Sequence, residues 1–301
     1  MAEYHLPQER ESLIAALQRL QVSKMHIHHS LEFDKSIWDL PKELGVTYDV
    51  TLHDYYSVCP RANLVDESEV YCGEPSLNAC NRCIKKNGVH ESSLLQFEDL
   101  GGSITSWREF YEDKLQRASN VFTPSHDTKD RILRYLDLNN IQAKYHPEPD
   151  FDYQPKSLEN VKILNITFIG AIGPHKGINV LKKYAKHAYK FDLPVKFTVI
   201  GYTSDDDFFN DLPNVTITGE YNREELNDLI VKHECHVAGL FSVWPETYSY
   251  TLSEAMRNNL HVACFDLGAI PERLDSSLIL DHKNLSTVLN MHEFYLEKRG
   301  W

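Results

Sequence analysis

Three groups of side chains stand out by type and spacing. In ITFIGAIGPHKGINVL (166–181), an apolar run leads into Gly170, Gly173 and Gly177, with His175 and Lys176 just before a helix-forming stretch. Glycines let a backbone approach a phosphate closely, and a helix N-terminus offers free N–H groups. Lys176 would add a positive charge to a pyrophosphate. The other reading of this loop is a tight strand-to-helix turn with a solvated lysine. In WPETYSYTLSEA (244–255), Glu246 and Glu254 are eight residues apart. A carboxylate has two acceptor oxygens and suits vicinal hydroxyls. Glu246 could bind sugar hydroxyls and Glu254 ribose hydroxyls, with a diphosphate on the helix start around Thr247, Tyr248 and Ser249. Read blandly, Glu246 is a dipole-favoured helix start and Glu254 a surface residue. The third group is Cys59, Cys72, Cys80 and Cys83, four thiols within one stretch. Four thiolates on one loop suit a closed tetrahedral zinc site. Two disulfides or four separate thiols are the alternatives, and a cysteine nucleophile lacks a partner at recognisable spacing.

The elements that must position these groups follow from hydrophobic periodicity. A helix is expected over 9–20, where Leu13, Ile14, Leu17 and Leu20 share a face. Strands are expected at 22–29 and 46–52, helices at 105–119 and 126–136 and a strand at 120–125. Ser125 or Asp127 would cap the second helix. Residues 57–90 read as a long irregular insertion, and such segments are usually functional or held by something. PEPDFDYQPKSLEN (147–160), with three prolines, reads as a linker. Strands at 161–170, 195–201, 214–219, 236–242 and 261–266 then alternate with helices at 176–190, 223–233 and 247–259. Such alternation implies a parallel sheet covered on both faces, with ligands at the carboxyl ends of the strands. The expected domains are 1–150 and 151–301.

Composition bounds the rest. The chain has 301 residues, 42% hydrophobic and 25% charged, enough for two soluble α/β domains. Neither a membrane-spanning run nor a signal peptide is evident, which places the expected location in the cytoplasm. A net charge of −13 argues against non-specific nucleic-acid binding and broad docking on anionic lipid, while leaving room for a local basic patch. Cys235 and Cys264, in apolar surroundings, read as core residues. His26 and His28 in HIHH would share one face of a strand; without an evident third ligand, structural roles are expected there. Asp205, Asp206 and Asp207 read as a solvated turn rather than a metal-binding acidic motif.

Gly170, Lys176, Gly177, Glu246 and Glu254, in that order and spacing, resemble the retaining glycosyltransferases of the GT-B fold, in the large bacterial family numbered four. The resemblance implies two Rossmann-like domains facing across a cleft. It implies a nucleotide diphospho-sugar donor on the second domain and a hydroxyl acceptor (glycan, lipid-linked or protein). It also implies retention of configuration, no catalytic metal or other cofactor, and use in polysaccharide or glycoconjugate assembly. Gly201, Gly219 and Tyr221 would line the nucleotide cleft. VTLHDYYSVCPR (50–61) resembles the segment carrying the family's cleft histidine, so His53 is expected at the reacting centre with Lys176 and Glu246, and Asp54 and Arg61 on the acceptor side. Two departures are visible: Ala171 stands where the family usually has arginine, and Thr247, Tyr248 and Ser249 stand where it is often glycine-rich. Against the family, the first domain starts late and the chain stops soon after DLGAIPERL (266–274), so part of the N-terminal domain is expected to be missing. A non-catalytic nucleotide-sugar-binding module and a sugar-nucleotide epimerase on the same fold are the rival readings.

Overall fold

The computed structural model describes residues 4–275 and 278–297. The chain divides into two compact units, Met1–Pro147 and Glu148–Trp301.

The first unit runs α1 (Arg10–Arg19), β1 (Lys24–Ile27), α2 (Leu40–Leu44), β2 (Thr47–Thr51), α3 (Leu77–Asn87), α4 (Ile104–Gln116), β3 (Asn120–Thr123), α5 (His126–Leu133) and β4 (Ile141–Ala143). The strands form one parallel sheet in the order β1-β2-β3-β4. Aromatic side chains fill the space beside it. Trp107 and Tyr111 on α4 are almost fully buried, and the Trp107 indole N–H donates to the Tyr56 carbonyl at 2.8 Å. Ser125 caps α5, its hydroxyl accepting from the Thr128 N–H at 3.2 Å. The 57–90 segment is not wholly irregular, because α3 occupies its second half.

The second unit runs β5 (Leu164–Ile172), α6 (Ile178–Lys190), β6 (Val195–Thr203), β7 (Val215–Ile217), α7 (Leu226–Lys232), β8 (Val237–Leu240), α8 (Tyr250–Arg257), β9 (His261–Phe265), β10 (Leu278–Leu280), α9 (Ser286–Leu289) and α10 (Met291–Glu297). Its sheet is parallel throughout, in the order β10-β9-β8-β5-β6-β7. Every residue of β8 is buried and β5 is buried along nearly all its length, as expected of strands covered on both faces. The order reverses at β5: β6 and β7 extend one way, β8, β9 and β10 the other. The crevice of such a sheet opens where neighbouring strands send their connections in opposite directions, which here is between the ends of β5 and β8.

Elements after residue 274 were not foreseen. They close the core: Tyr295 on α10 donates to the Val262 carbonyl at 2.7 Å, and buried His292 meets the Tyr184 hydroxyl of α6 at 3.2 Å. The stretch read as a linker holds no regular element, yet Leu158 is buried and Glu148 is anchored in the second unit.

Candidate active site

Two glycine turns set the backbone at the end of β5. Gly170 and Gly201 face each other in register with φ of +103° and +126°. A Cβ on Gly201 would come within 2.2 Å of the Gly170 carbonyl oxygen, so only glycine fits. Gly219 (φ +79°) follows, its N–H donating to the Gly201 carbonyl at 2.9 Å. Gly177 (φ +85°) starts α6, and a Cβ there would meet the Phe241 carbonyl oxygen at 2.3 Å. That close approach presses the β5 loop against the end of β8. Gly173 differs: its φ is −98°, open to any residue. Exposed His175 uses its carbonyl, at 3.0 Å from the Val243 N–H, to join the same two loops.

The approach brings Lys176 to Glu246. The ammonium Nζ lies 2.7 Å from Glu246 Oε1, and the Ser242 hydroxyl donates to the same oxygen. Glu246 is 3% exposed. Its loop is gripped from below by the DLG turn: the Ala269 N–H donates to the Glu246 carbonyl at 2.8 Å, and a Cβ on Gly268 (φ +74°) would lie 2.5 Å from the Glu246 nitrogen. Ser242 and Gly268 escaped the sequence reading, although the Asp-Leu-Gly turn signal marked the second. Two residues before Glu246, the Trp244 indole Nε1 is buried with no hydrogen-bond partner among the described residues.

Glu254 lies at a groove of about 360 Å³ lined also by Gly170, Tyr221, Arg223 and Tyr250. Its Oε1 accepts from Arg223 Nε at 2.7 Å and lies 3.8 Å from Arg257 Nη1. Oε2 takes no part in either contact. Burial, with the nearby Glu254 carboxylate, raises the Tyr221 hydroxyl above its ordinary pKa. Arg223 was read only as a helix start.

The helix expected from Thr247 begins three residues later. Ser249 is the cap of α8, its hydroxyl accepting from the Leu252 N–H at 3.3 Å. Thr247 is buried, and Tyr248 donates to Glu148 with the Arg273 guanidinium 4.5 Å over its ring. Glu148 also accepts from Ser253 Oγ at 2.6 Å and Arg257 Nη2 at 2.5 Å. Burial works to raise its pKa, but these hydrogen bonds outweigh it and hold the carboxyl below the ordinary range. Arg273 Nη1 donates to the Ser249 carbonyl at 3.1 Å. Glu148 and Arg273 therefore fix the start of α8, and neither was singled out in sequence because their partners are about 100 positions or more, or about 20, away. Asp205, Asp206 and Asp207 sit exposed in a turn, Asp206 accepting from the Thr203 N–H at 2.7 Å.

In the first unit, His53 follows β2. Its Nε2 is 3.1 Å from His28 Nδ1. Four imidazoles stack in a column, with centroids 4.2 Å apart for His26–His28, 5.4 Å for His28–His53 and 5.3 Å for His53–His146. Burial, then the neighbouring imidazoles, push the His53 pKa down to about 4. Asp54 pairs with His29 at 2.6 Å. Arg61 was expected beside them, but it is tied into the cysteine segment, donating to the Val65 carbonyl at 3.1 Å.

Cys59, Cys72, Cys80 and Cys83 line one cavity of about 30 Å³. Burial pushes the Cys59 thiol up to about 12 and Cys72 up to about 11, which does not suit a nucleophile. Cys235 and Cys264 are core residues, 4% and 0% exposed.

Two α/β units with parallel sheets, and a polar site at the strand-order reversal of the second, define a fold shared with solved glycosyltransferases. TarM of S. aureus superposes with a TM-score of 0.60 at 16% identity, over 94% of this chain and 50% of that one. HepE of Anabaena, solved with UDP, gives 0.58 at 12%, over 97% and 76%. A glycosyltransferase of Rickettsia africae ESF-5 gives 0.62 at 12%, over 100% and 74%. The chain thus spans about half of TarM and three quarters of the other two, and its fold is that of the GT-B glycosyltransferases. Residues 164–289, within the second unit, match the family model described as Glycosyl transferases group 1. A search of curated proteins finds no match. Among the described residues, no helix is long and apolar enough to cross a membrane.

Proposed function

We propose that the chain is a retaining glycosyltransferase that moves a sugar from a nucleotide diphospho-sugar to a hydroxyl acceptor. The observation that carries this reading is the contact of Lys176 with buried Glu246 at the crevice between β5 and β8, within the matched family segment. In transfer, the bond between the anomeric carbon and the diphosphate oxygen breaks. The acceptor oxygen bonds to that carbon on the same face, and its proton leaves with the diphosphate or solvent. Lys176 neutralises the charge that develops on the leaving diphosphate, the electrostatic role that usually contributes most. Glu246 accepts from the donor sugar's hydroxyls. Glu254 takes the ribose hydroxyls in the groove beside Tyr221. His53, kept neutral, is assigned to the reacting centre. Donor charge is carried by Lys176 and backbone N–H groups, with no catalytic metal assigned.

Solved neighbours support the donor class: HepE is described with UDP-glucose, TarM with UDP and α-GlcNAc-glycerol, and trehalose-6-phosphate synthase in work on transfer with retention. The acceptor is assigned to glycan, lipid-linked or protein hydroxyls of a polysaccharide or glycoconjugate, with the reaction in the cytoplasm. A second reading, a nucleotide-sugar-binding module without turnover, is favoured by one observation: exposed Ala171 stands where the family usually has arginine. Product analysis separates them. UDP-sugars are incubated with hydroxyl acceptors, and products are followed by mass spectrometry and proton NMR. A glycoside with the donor's anomeric configuration supports transfer with retention. Unchanged donor that still binds favours the module, and an isomerised donor sugar makes the chain an epimerase.

A further inference from the structure

The cysteine segment buries Val58, Ala62, Leu64 and Ile84, and its four thiols lie beside that apolar patch. Four sulfurs converge there on one small cavity. Their placement comes from three local structures. A turn at Cys59, closed by the Ala62 N–H on the Cys59 carbonyl at 2.9 Å, presents the first thiol. A short antiparallel bridge between Val65 and Tyr71 returns the chain, and the Cys72 N–H on the Leu64 carbonyl at 2.9 Å sets the second beside it. Helix α3 then presents Cys80 and Cys83 three residues apart on one face.

Donor groups also lie near these sulfurs. Cys59 takes the Arg61 backbone N–H and Cys72 the Glu74 backbone N–H, both from two residues further on. Cys80 meets the Arg108 guanidinium, and Cys83 accepts from Asn87 Nδ2 at 3.5 Å. The Cys80 S–H donates to the Pro75 carbonyl at 3.6 Å, a contact that a bound ion would replace. Four thiolates on a dication carry a net charge of −2, and donors to sulfur are the outer shell that such a site needs.

We propose that Cys59, Cys72, Cys80 and Cys83 bind one structural zinc ion. Tetrahedral zinc–sulfur bonds of about 2.3 Å put sulfurs roughly 3.8 Å apart. Among the described residues, no three of these sulfurs lie within 4.8 Å of one another, so binding an ion requires cysteine side chains to turn inward. A change of χ1 well moves a sulfur by about 3 Å. The ion ties the 59–62 turn, the 65–71 bridge and α3 into one body. Glu74, held by Arg131, Arg134 and Tyr135, joins that body to α5.

The test uses the full chain purified without chelator, and its readout is metal rather than activity. Acid-released zinc should reach about one per chain, and cobalt substitution should give the ligand-field and sulfur-to-cobalt charge-transfer bands of a tetrahedral thiolate site. Strong chelation should expose four further reactive thiols and lower the thermal midpoint. Cys83→Ser should lose most of the zinc, whereas Cys235→Ser should keep it. If Cys83→Ser does not fold, the cobalt spectrum of the unmodified chain decides alone. Zinc below a tenth per chain that added zinc does not raise would overturn the proposal, as would a mass two or four daltons low from disulfides, or a cobalt spectrum without sulfur ligation. Failure of sugar transfer would leave these readouts untouched.

Discussion

Lys176 Nζ lies 2.7 Å from Oε1 of Glu246, an ion pair between two loops that leave neighbouring strands, with the Ser242 hydroxyl on the same oxygen. The carboxylate side is 4% exposed and the ammonium side 32%. The pair faces outward through lysine, as a group that meets a ligand must. Replacing Glu246 by Gln keeps the shape and removes the charge. We expect kcat to fall by about 10²–10³, with the affinity for the donor nucleotide changed only a few-fold. Steady-state kinetics with calorimetry of the nucleotide that the donor screen identifies checks this, and a kcat within about threefold of the parent would remove Glu246 from the catalytic step.

Gly268 supports Glu246 from beneath. An added Cβ would lie 2.5 Å from the Glu246 nitrogen, against backbone that has no flexible end to swing away. Gly268→Ala is expected to cost about 1–3 kcal/mol and to displace the Glu246 loop. Urea unfolding and activity measured together should both suffer. Unchanged values would mean that the loop relaxes freely.

Glu148 concentrates the acid contacts of the α8 start. Its side chain is 11% exposed between Arg257 and Arg273. Glu148→Ala leaves two guanidinium groups facing each other and is expected to destabilise the second unit by about 2–3 kcal/mol, discounted from a fully buried pair because both arginines keep some solvent. The carboxyl is held below its ordinary value. Its stabilisation is therefore complete above about pH 4.5 and fades as pH falls through the lowered folded value. Denaturation curves of parent and variant should converge in acid; a constant gap down to about pH 2 contradicts this account.

His53, like Glu148, has a lowered folded pKa and loses stabilisation as pH falls, here because burial disfavours its charged form. Its pKa drops from 6.5 to about 4, through burial and then the imidazoles of His146, His28 and His29. The unfolded chain therefore takes up the proton first as pH falls. Stability from this group is full above about pH 6.5 and is lost progressively between there and about pH 4. His53→Gln should flatten the stability profile of the first unit in that window. Equal slopes for parent and variant would mean that the histidine titrates normally.

Much of the second unit was legible in sequence because its strands are apolar runs ending in glycine, and glycine marks backbone that no other residue can adopt. Gly201 against Gly170 is the clearest case. What escaped notice depends on contacts distant in sequence. Glu148 reads as a polar linker residue until Tyr248, Ser253 and Arg257 are placed around it. The start of α8 was misplaced because Thr247, Tyr248 and Ser249 all tolerate a helix, and only the Ser249 hydroxyl on the Leu252 N–H shows where it begins. The elements beyond residue 274 are short and weakly periodic, and tertiary packing of Tyr295 and His292 determines them. Arg61 was drawn to His53 by proximity in sequence, whereas the turn at Cys59 carries it into the cysteine segment.

The most direct test of the donor site is calorimetry of UDP-, GDP- and dTDP-sugars against the parent chain and Glu254→Ala. The groove beside Tyr221 and Glu254 predicts that one nucleotide class binds at micromolar strength. The variant should then weaken it by more than tenfold, ~1.4 kcal/mol. Binding of no nucleotide sugar, or equal binding by parent and variant, would contradict the assignment of this groove to the nucleoside diphosphate.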